Sequence, residues 1–96
     1  MVEIQQSQNF KLWLRDQRGK RARGLVQVHI DRLHLGLSAD VHELPGGLFE
    51  MRIEQGLGYR VYFVKPSPQC VMLLSAGDTR TQDRDIQLAN RLAINM

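Results

Sequence analysis

Two arginines and a tyrosine occupy alternate positions in a predicted pair of strands. Arg52 lies in the stretch LFEMRIE, and Arg60 and Tyr62 lie in GYRVYFV; both stretches alternate apolar and polar residues. A short glycine-bearing connection predicts that they form a hairpin, and because strand side chains alternate between faces, all three residues share one face. Guanidiniums bind phosphates through paired hydrogen bonds, and a tyrosine ring can stack on an unpaired base. One interpretation of this face is therefore a phosphate clamp.

A solvated sheet surface explains the same alternation. Glu50 would then pair with the arginines across the strands, each pair contributing about 0.2–1 kcal/mol. Lys65 adds positive charge if the second strand extends that far, although alternation places it on the opposite face. The residues alone leave both interpretations open.

Two further segments carry candidate anion contacts. Gly77 to Thr81 presents backbone N–H groups at the start of a predicted helix, with Thr79 and Arg80 beside them, and the alternative there is a helix cap alone. The joint between the first two predicted helices is basic, and it is either a solvated turn or a contact for nucleic acid or an acidic partner segment. Its basic residues are Arg15, Arg18, Lys20, Arg21 and Arg23.

Other reactive residue types are sparse. His29 lies on the apolar stripe of the second predicted helix, where a core or boundary histidine is the expected role, and nothing pairs His42 with another acid or base. No Cys/His/Asp cluster has metal-ligand spacing, so we expect no metal and no cofactor. Cys70, in an apolar run, is predicted to be reduced and structural.

The composition indicates one globular domain over residues 1–96. Apolar residues make up 43% of the chain and charged residues 24%, with a net charge of +3. No apolar run approaches the roughly 20 residues of a membrane span, and the first residues lack the order of a secretion signal. We therefore expect a cytoplasmic protein without a membrane partner.

The elements that must position these residues follow from periodicity and from glycine and proline. We predict a short strand over 2–5, a helix that begins after Ser7 and ends near Gly19, a second helix that ends at Gly36, strands over 48–54, 59–64 and 70–74, and a helix over 81–94. Residues 37–47 are predicted to be irregular, with a turn at Pro45 to Gly47. The predicted class is α+β, with an N-terminal strand, a two-helix hairpin, an antiparallel meander and a C-terminal helix.

The stretches ELPGGLFEMRIEQGLGYRVYF and LLSAGDTRTQDRDIQLA resemble the RelE/HigB-type toxins of bacterial toxin–antitoxin modules, the addiction-module killer proteins. The resemblance covers nearly the whole chain and implies a RelE-like fold. It implies a ribosome-dependent endoribonuclease that cuts messenger RNA without a metal and is neutralised by an antitoxin, expected to be of helix-turn-helix type and encoded beside it.

The resemblance also implies roles for individual residues. Arg52 and Arg60 would hold the scissile phosphate, and Tyr62 would stack on a base or orient the reacting groups. Lys65, Thr79 and Arg80 would contact RNA, and the basic joint would contact the antitoxin or the ribosome. Two alternatives remain: a toxin-fold protein that binds RNA or its antitoxin without cutting, and a phage-derived structural or regulatory protein.

Overall fold

The computed structural model describes residues 1–17, 19–37, 39–55 and 58–95. In chain order the elements are β1 (Glu3–Gln6), α1 (Gln8–Arg15), α2 (Lys20–His34), β2 (Val41–Leu44), β3 (Leu48–Ile53), β4 (Tyr59–Ser67), β5 (Cys70–Gly77) and α3 (Gln82–Ile94). The five strands form one sheet in the order β1-β5-β4-β3-β2. The predicted α+β class is confirmed.

The sheet is mixed. Strands β2 to β5 form the antiparallel meander, whereas β1 pairs in parallel with β5, with Ile4 opposite Val71. This places β5 between two strands, as its continuous apolar run predicts. Ser7 links β1 to α1: its hydroxyl accepts from the Phe10 N–H at 3.0 Å, as the predicted N-cap does, and donates to the Leu74 carbonyl at 2.6 Å.

Three expected boundaries are wrong. The first helix ends at Arg15 rather than near Gly19, and residues 41–44, predicted to be irregular, form the edge strand β2. β4 continues through Pro66 to Ser67, past the predicted end. The missing N–H of Pro66 is tolerated because the β4–β5 register is irregular between Val64 and Ser67, so no regular ladder bond is lost there.

Helices cover both faces of the sheet. α1 and α2 cover the face that we call the apolar face, where Phe10, Val26 and Ile30 pack on Met51, Val61 and Phe63. α3 covers the opposite face, called the polar face below, where Ala89 packs on Leu48, Tyr62 and Leu74. Arg52, Arg60 and Tyr62 therefore lie on a face that a helix partly covers.

Candidate functional site

Arg52 and Arg60 lie directly opposite each other in the β3–β4 pair, and Arg60 lies opposite Gly77 in the β4–β5 pair. These three residues, called the arginine row, cross three strands at the sheet end from which the chain leaves β5 for α3. Glu50, Tyr62 and Ser75 form the next row on the same face. The prediction that the two arginines and the tyrosine share a face is confirmed.

Arg52 is the accessible member of the row, with 38% of its side chain exposed. Its Nε donates to Glu50 Oε1 at 2.7 Å, and the Glu50 side chain is only 5% exposed. This hydrogen bond raises the pKa of Arg52 above its ordinary value. Arg52 is therefore a permanently charged group, held in place by a buried carboxylate, with part of its surface in solvent.

Arg60 is buried, although both interpretations of this face, a phosphate clamp and a solvated sheet surface, require its guanidinium in solvent. The residue is 8% exposed, and its guanidinium lies 3.3 Å from both Glu54 Oε1 and the Tyr59 carbonyl. Its Nε is buried and has no hydrogen-bond partner among the described residues. The interior strand position and the cover on both faces of the sheet account for the burial. Replacing Arg60 therefore changes packing as well as charge.

Tyr62 is fully buried, so it does not present a ring for base stacking. It is 0% exposed and packs between Leu48, Leu74 and Ala89. Burial is the largest cause that raises the pKa of Tyr62 above its ordinary value. The second cause is the negative charge of Glu50, which lies opposite Tyr62 in the neighbouring strand. No described atom lies at hydrogen-bonding geometry to the hydroxyl. The stacking role expected of Tyr62 fails because α3 packs over it.

α3 contributes polar contacts that the sequence did not predict as part of the site. Asp85 is 5% exposed; its carboxylate accepts from the Thr81 hydroxyl at 2.5 Å, and its carbonyl accepts from the Ser75 hydroxyl at 2.7 Å. Thr81 is the N-cap residue of α3, but its hydroxyl bonds to the Asp85 carboxylate and not to a backbone N–H of the helix. A Cβ on Gly77 would overlap both the Asp85 carboxylate and the Thr81 hydroxyl. In the sequence, a polar residue, Ser75, directly follows the apolar run of β5, and this was the signal that could have indicated a polar contact with α3.

Lys65 lies away from the arginine row. Its Nζ lies 4.4 Å from the centroid of the Phe49 ring, which stacks on Phe63 of the apolar face. Five residues also separate it from Arg60 along the chain, about 16 Å in a strand. The structure does not bring Lys65 together with the arginines.

Thr79 and Arg80 lie in the exposed loop between β5 and α3. Arg80 Nη2 lies 2.7 Å from Asp78 Oδ2, and the Arg80 backbone N–H donates to Asp78 Oδ1 at 2.8 Å. The hydrogen bonds from the Arg80 side chain and backbone hold the pKa of Asp78 below its usual value. This loop follows Gly77 directly, so it lies beside the arginine row.

The basic joint is largely solvated. Lys20 and Arg21 are exposed, Arg15 lies 3.5 Å from Asp16, and Arg23 donates to the Gln17 carbonyl at 2.9 Å. Arg18 lies outside the described residues.

Two histidines contact residues close in sequence, whereas His34 Nδ1 lies 2.5 Å from the Val2 carbonyl. His29 Nδ1 lies 2.9 Å from the Leu25 carbonyl, and His42 Nε2 lies 2.6 Å from Asp40 Oδ1. Within the described ranges no group of three or more His, Cys, Asp or Glu side chains is arranged to hold a metal ion. None of the helices in those ranges is long and apolar enough to cross a membrane.

Two carboxylates balance the two positive charges of the arginine row. Arg52 and Arg60 are each paired with a carboxylate, Glu50 and Glu54 respectively. A phosphate that binds here must compete with Glu54, whose side chain is 66% exposed and free to move. The site can therefore offer two adjacent guanidiniums to one anion if the Arg60–Glu54 pair opens.

Fold and site together define a small α+β protein in which a C-terminal helix covers a sheet face that carries paired arginines. No protein-family model matches the chain. The chain is 38% identical over 92 residues to an uncharacterized protein of Haemophilus influenzae, an alignment that spans 96% of this chain and 93% of the relative. The chain belongs to the same family as that protein.

Proposed function

We propose that this protein is the toxin of a type II toxin–antitoxin pair, with a RelE-like fold, and that it cuts messenger RNA on the ribosome. The observation that carries the proposal is the arginine row, with Arg52 and Arg60 opposite each other. The resemblance of the strand and loop sequences to RelE/HigB-type toxins supports it.

The reaction is an attack of a ribose 2′-oxygen on the adjacent phosphorus. The P–O5′ bond breaks, and the products are a 2′,3′-cyclic phosphate and a 5′-hydroxyl. Arg52 and Arg60 stabilise the charge that develops on the phosphoryl oxygens. Arginine remains protonated and cannot act as the base. The proton of the 2′-hydroxyl passes to one of the two carboxylates beside the guanidiniums, Glu50 or Glu54, and the departing 5′-oxygen takes up a proton from solvent.

The proposal includes partners. A helix-turn-helix antitoxin encoded in the neighbouring gene would cover the arginine row and place acidic residues against the basic joint. The substrate is messenger RNA bound in the ribosome, which orients the reacting ribose and lowers the demand on this small site. Both partners place the protein in the cytoplasm.

The second candidate function is a toxin-fold protein that binds RNA or an antitoxin without cutting. The burial of Arg60 and Tyr62 favours it, because fewer groups then reach a substrate. The two candidates differ in whether RNA ends carrying 5′-hydroxyls accumulate when the protein is expressed alone.

The test uses Arg52, because replacing the buried Arg60 would mix stability with activity. Wild type, Arg52→Ala and Arg52→Lys are induced at matched levels in a bacterial host, and growth and mRNA ends are measured. We expect Arg52→Ala to lower cleavage by about a hundredfold or more, on the scale of losing one transition-state donor. Arg52→Lys should retain only part of the activity. The lysine keeps a positive charge beside Glu50, but it lacks the planar guanidinium that donates two parallel hydrogen bonds to a phosphate.

The matched control is Arg91→Ala, an exposed arginine in the last turn of α3. It should cut like wild type, and melting temperatures of all purified variants separate unfolding from lost chemistry. Normal growth and intact mRNA during confirmed expression of the wild type would favour the binding candidate. A folded Arg52→Ala protein as toxic as wild type would remove Arg52 from the active site.

A further inference from the structure

A cleft lies between the C-terminal end of α1 and the loop that joins β5 to α3. Its volume is about 330 Å³, within the usual range of about 300–1,000 Å³ for small-molecule sites. Its walls combine aromatic, amide and cationic groups with the Asp78 carboxylate and the Thr81 hydroxyl. The lining residues include Trp13, Gln17, Tyr59, Gly77, Arg80 and Arg84.

The aromatic wall of the cleft is held rigidly. Trp13 is half-buried, with its ring 5.9 Å from that of Phe10 and 6.0 Å from that of Tyr59, the latter at 77°. Gln17 Nε2 donates to the Trp13 carbonyl at 2.9 Å. An indole fixed in this way with part of its surface open offers a stacking surface for an unpaired base.

The cationic wall is supplied by Arg84 and Arg80. The Arg84 side chain is 78% exposed, and its Nε lies 3.8 Å from Asp85 Oδ1, beyond hydrogen-bonding distance. Asp85 already accepts from Thr81 at its other oxygen. Arg84 therefore keeps its donors available for a phosphate, whereas Arg80 shares its charge with Asp78.

The cleft and the arginine row meet at one residue, Gly77. Gly77 lines the cleft and is also the residue opposite Arg60 in the β4–β5 pair. The aromatic lining belongs to the apolar face, whereas Arg52 and Arg60 lie on the polar face. The cleft and the arginine row therefore share one end of the sheet rather than one face.

We infer that this cleft is a subsite for one unpaired nucleotide of single-stranded RNA, with its base against Trp13 and its phosphate at Arg84 and Arg80. The inference rests on the proposed function and extends it, since it gives the path of the RNA away from the scissile phosphate. It adds Trp13 and Arg84 as binding residues. Neither residue takes part in bond making or breaking.

Trp13 is the single tryptophan of the chain, so emission excited selectively at tryptophan reports on this cleft. The probe is a single-stranded oligoribonucleotide with 2′-O-methylated riboses, which lacks the attacking hydroxyl and cannot be cut. Titration into the purified wild type at low salt should quench the tryptophan emission to a plateau. The Arg84→Ala variant should bind more weakly, and the slope of log K against log salt should fall by about 0.7, the value for one single-strand phosphate contact.

Arg91→Ala is the matched control, because it removes the same side chain from the same helix two turns beyond Arg84. Its binding should equal that of wild type. An absence of quenching, or equal weakening by Arg84→Ala and Arg91→Ala, would overturn the subsite. Arg84 is exposed, so its removal leaves no cavity and the folded variant can be tested directly.

Trp13→Leu provides a second variant, with binding measured by the anisotropy of a labelled oligonucleotide. Loss of base stacking should weaken binding by about 5-fold to 150-fold. The melting temperature of this variant is measured alongside, because Trp13 also packs on Phe10. Unchanged affinity in a folded Trp13→Leu protein would contradict the stacking role.

This binding assay contains no ribosome and no cleavage, so it is independent of the toxicity assay. Quenching by a protein that neither arrests growth nor cuts RNA would support the subsite while removing the toxin proposal. Growth arrest by a protein whose tryptophan emission is unaffected by RNA would overturn the subsite and leave the toxin proposal in place.

Discussion

The two faces of the sheet are built differently. Beneath α1 and α2, the buried residues of the apolar face form one hydrophobic cluster. Beneath α3, a smaller apolar cluster lies beside four buried polar or charged residues, Glu50, Arg60, Ser75 and Asp85. Buried polar groups cost free energy unless they are paired, and Arg60 Nε and the Tyr62 hydroxyl are not paired within the described chain. The comparison indicates that the apolar face supplies most of the buried hydrophobic packing, and that the polar face holds the buried polar and charged groups on which the proposed function depends.

The largest expected effect is on the apolar face. Phe63 is 0% exposed and its ring stacks on Phe49 at 5.4 Å, so Phe63→Ala should lower the free energy of unfolding by about 3–5 kcal/mol. Urea unfolding followed by circular dichroism measures the change. Val28→Ala, at an exposed position of α2, should stay within about 0.5 kcal/mol of wild type. Similar losses for both variants would contradict the assignment of stability to this face.

The next effect concerns the contact between α3 and the arginine row. Gly77→Ala would push a methyl group into the Asp85 carboxylate and the Thr81 hydroxyl, and it should destabilise by about 1–3 kcal/mol. Gly24→Ala is the control, because it lies in α2 with no atom within 4 Å of an added Cβ. Helix propensity predicts that it stabilises by about 0.5–1 kcal/mol. A Gly77→Ala protein as stable as wild type would show that α3 does not depend on this close approach.

The smallest effect is expected at Tyr62. Tyr62→Phe removes a buried hydroxyl that has no partner in the described chain, so the free energy of unfolding at neutral pH should change by less than about 1 kcal/mol. A loss well above this value, measured by the same urea unfolding, would mean that the hydroxyl is hydrogen-bonded in the folded protein.

The same residue gives a pH dependence. Because the pKa of Tyr62 is raised in the folded protein, the folded state holds the phenolic proton more tightly than the unfolded chain does. The associated stability is fully present below about pH 10, the ordinary pKa, and declines as the pH rises above it. Wild type should therefore lose more stability than Tyr62→Phe between neutral and strongly alkaline pH. If the free energy of unfolding of the two proteins fell equally with rising pH, the Tyr62 hydroxyl would be less buried than in this structure.

Much of the local structure could be predicted. Strand alternation correctly placed Arg52, Arg60 and Tyr62 on one face, and Ser7 was correctly predicted as the cap of α1. The short edge strand β2 was missed, since its sequence VHEL has apolar residues only at its two ends. The parallel pairing of β1 with β5 was also missed, because strands more than sixty residues apart leave no pairing signal in a single sequence.

The sequence by itself determined most of the elements, β2 excepted, and which side chains share a face, because both follow from period-2 and period-3.6 patterns over a few residues. Only the tertiary structure decided which face is accessible. α3 packs over Tyr62, and the sheet interior buries Arg60, while Arg52 remains partly in solvent. That outcome depends on the fit of Asp85 and Thr81 against Gly77, a contact between separate elements. Alternation assigns a side chain to a face, but burial depends on what packs on that face.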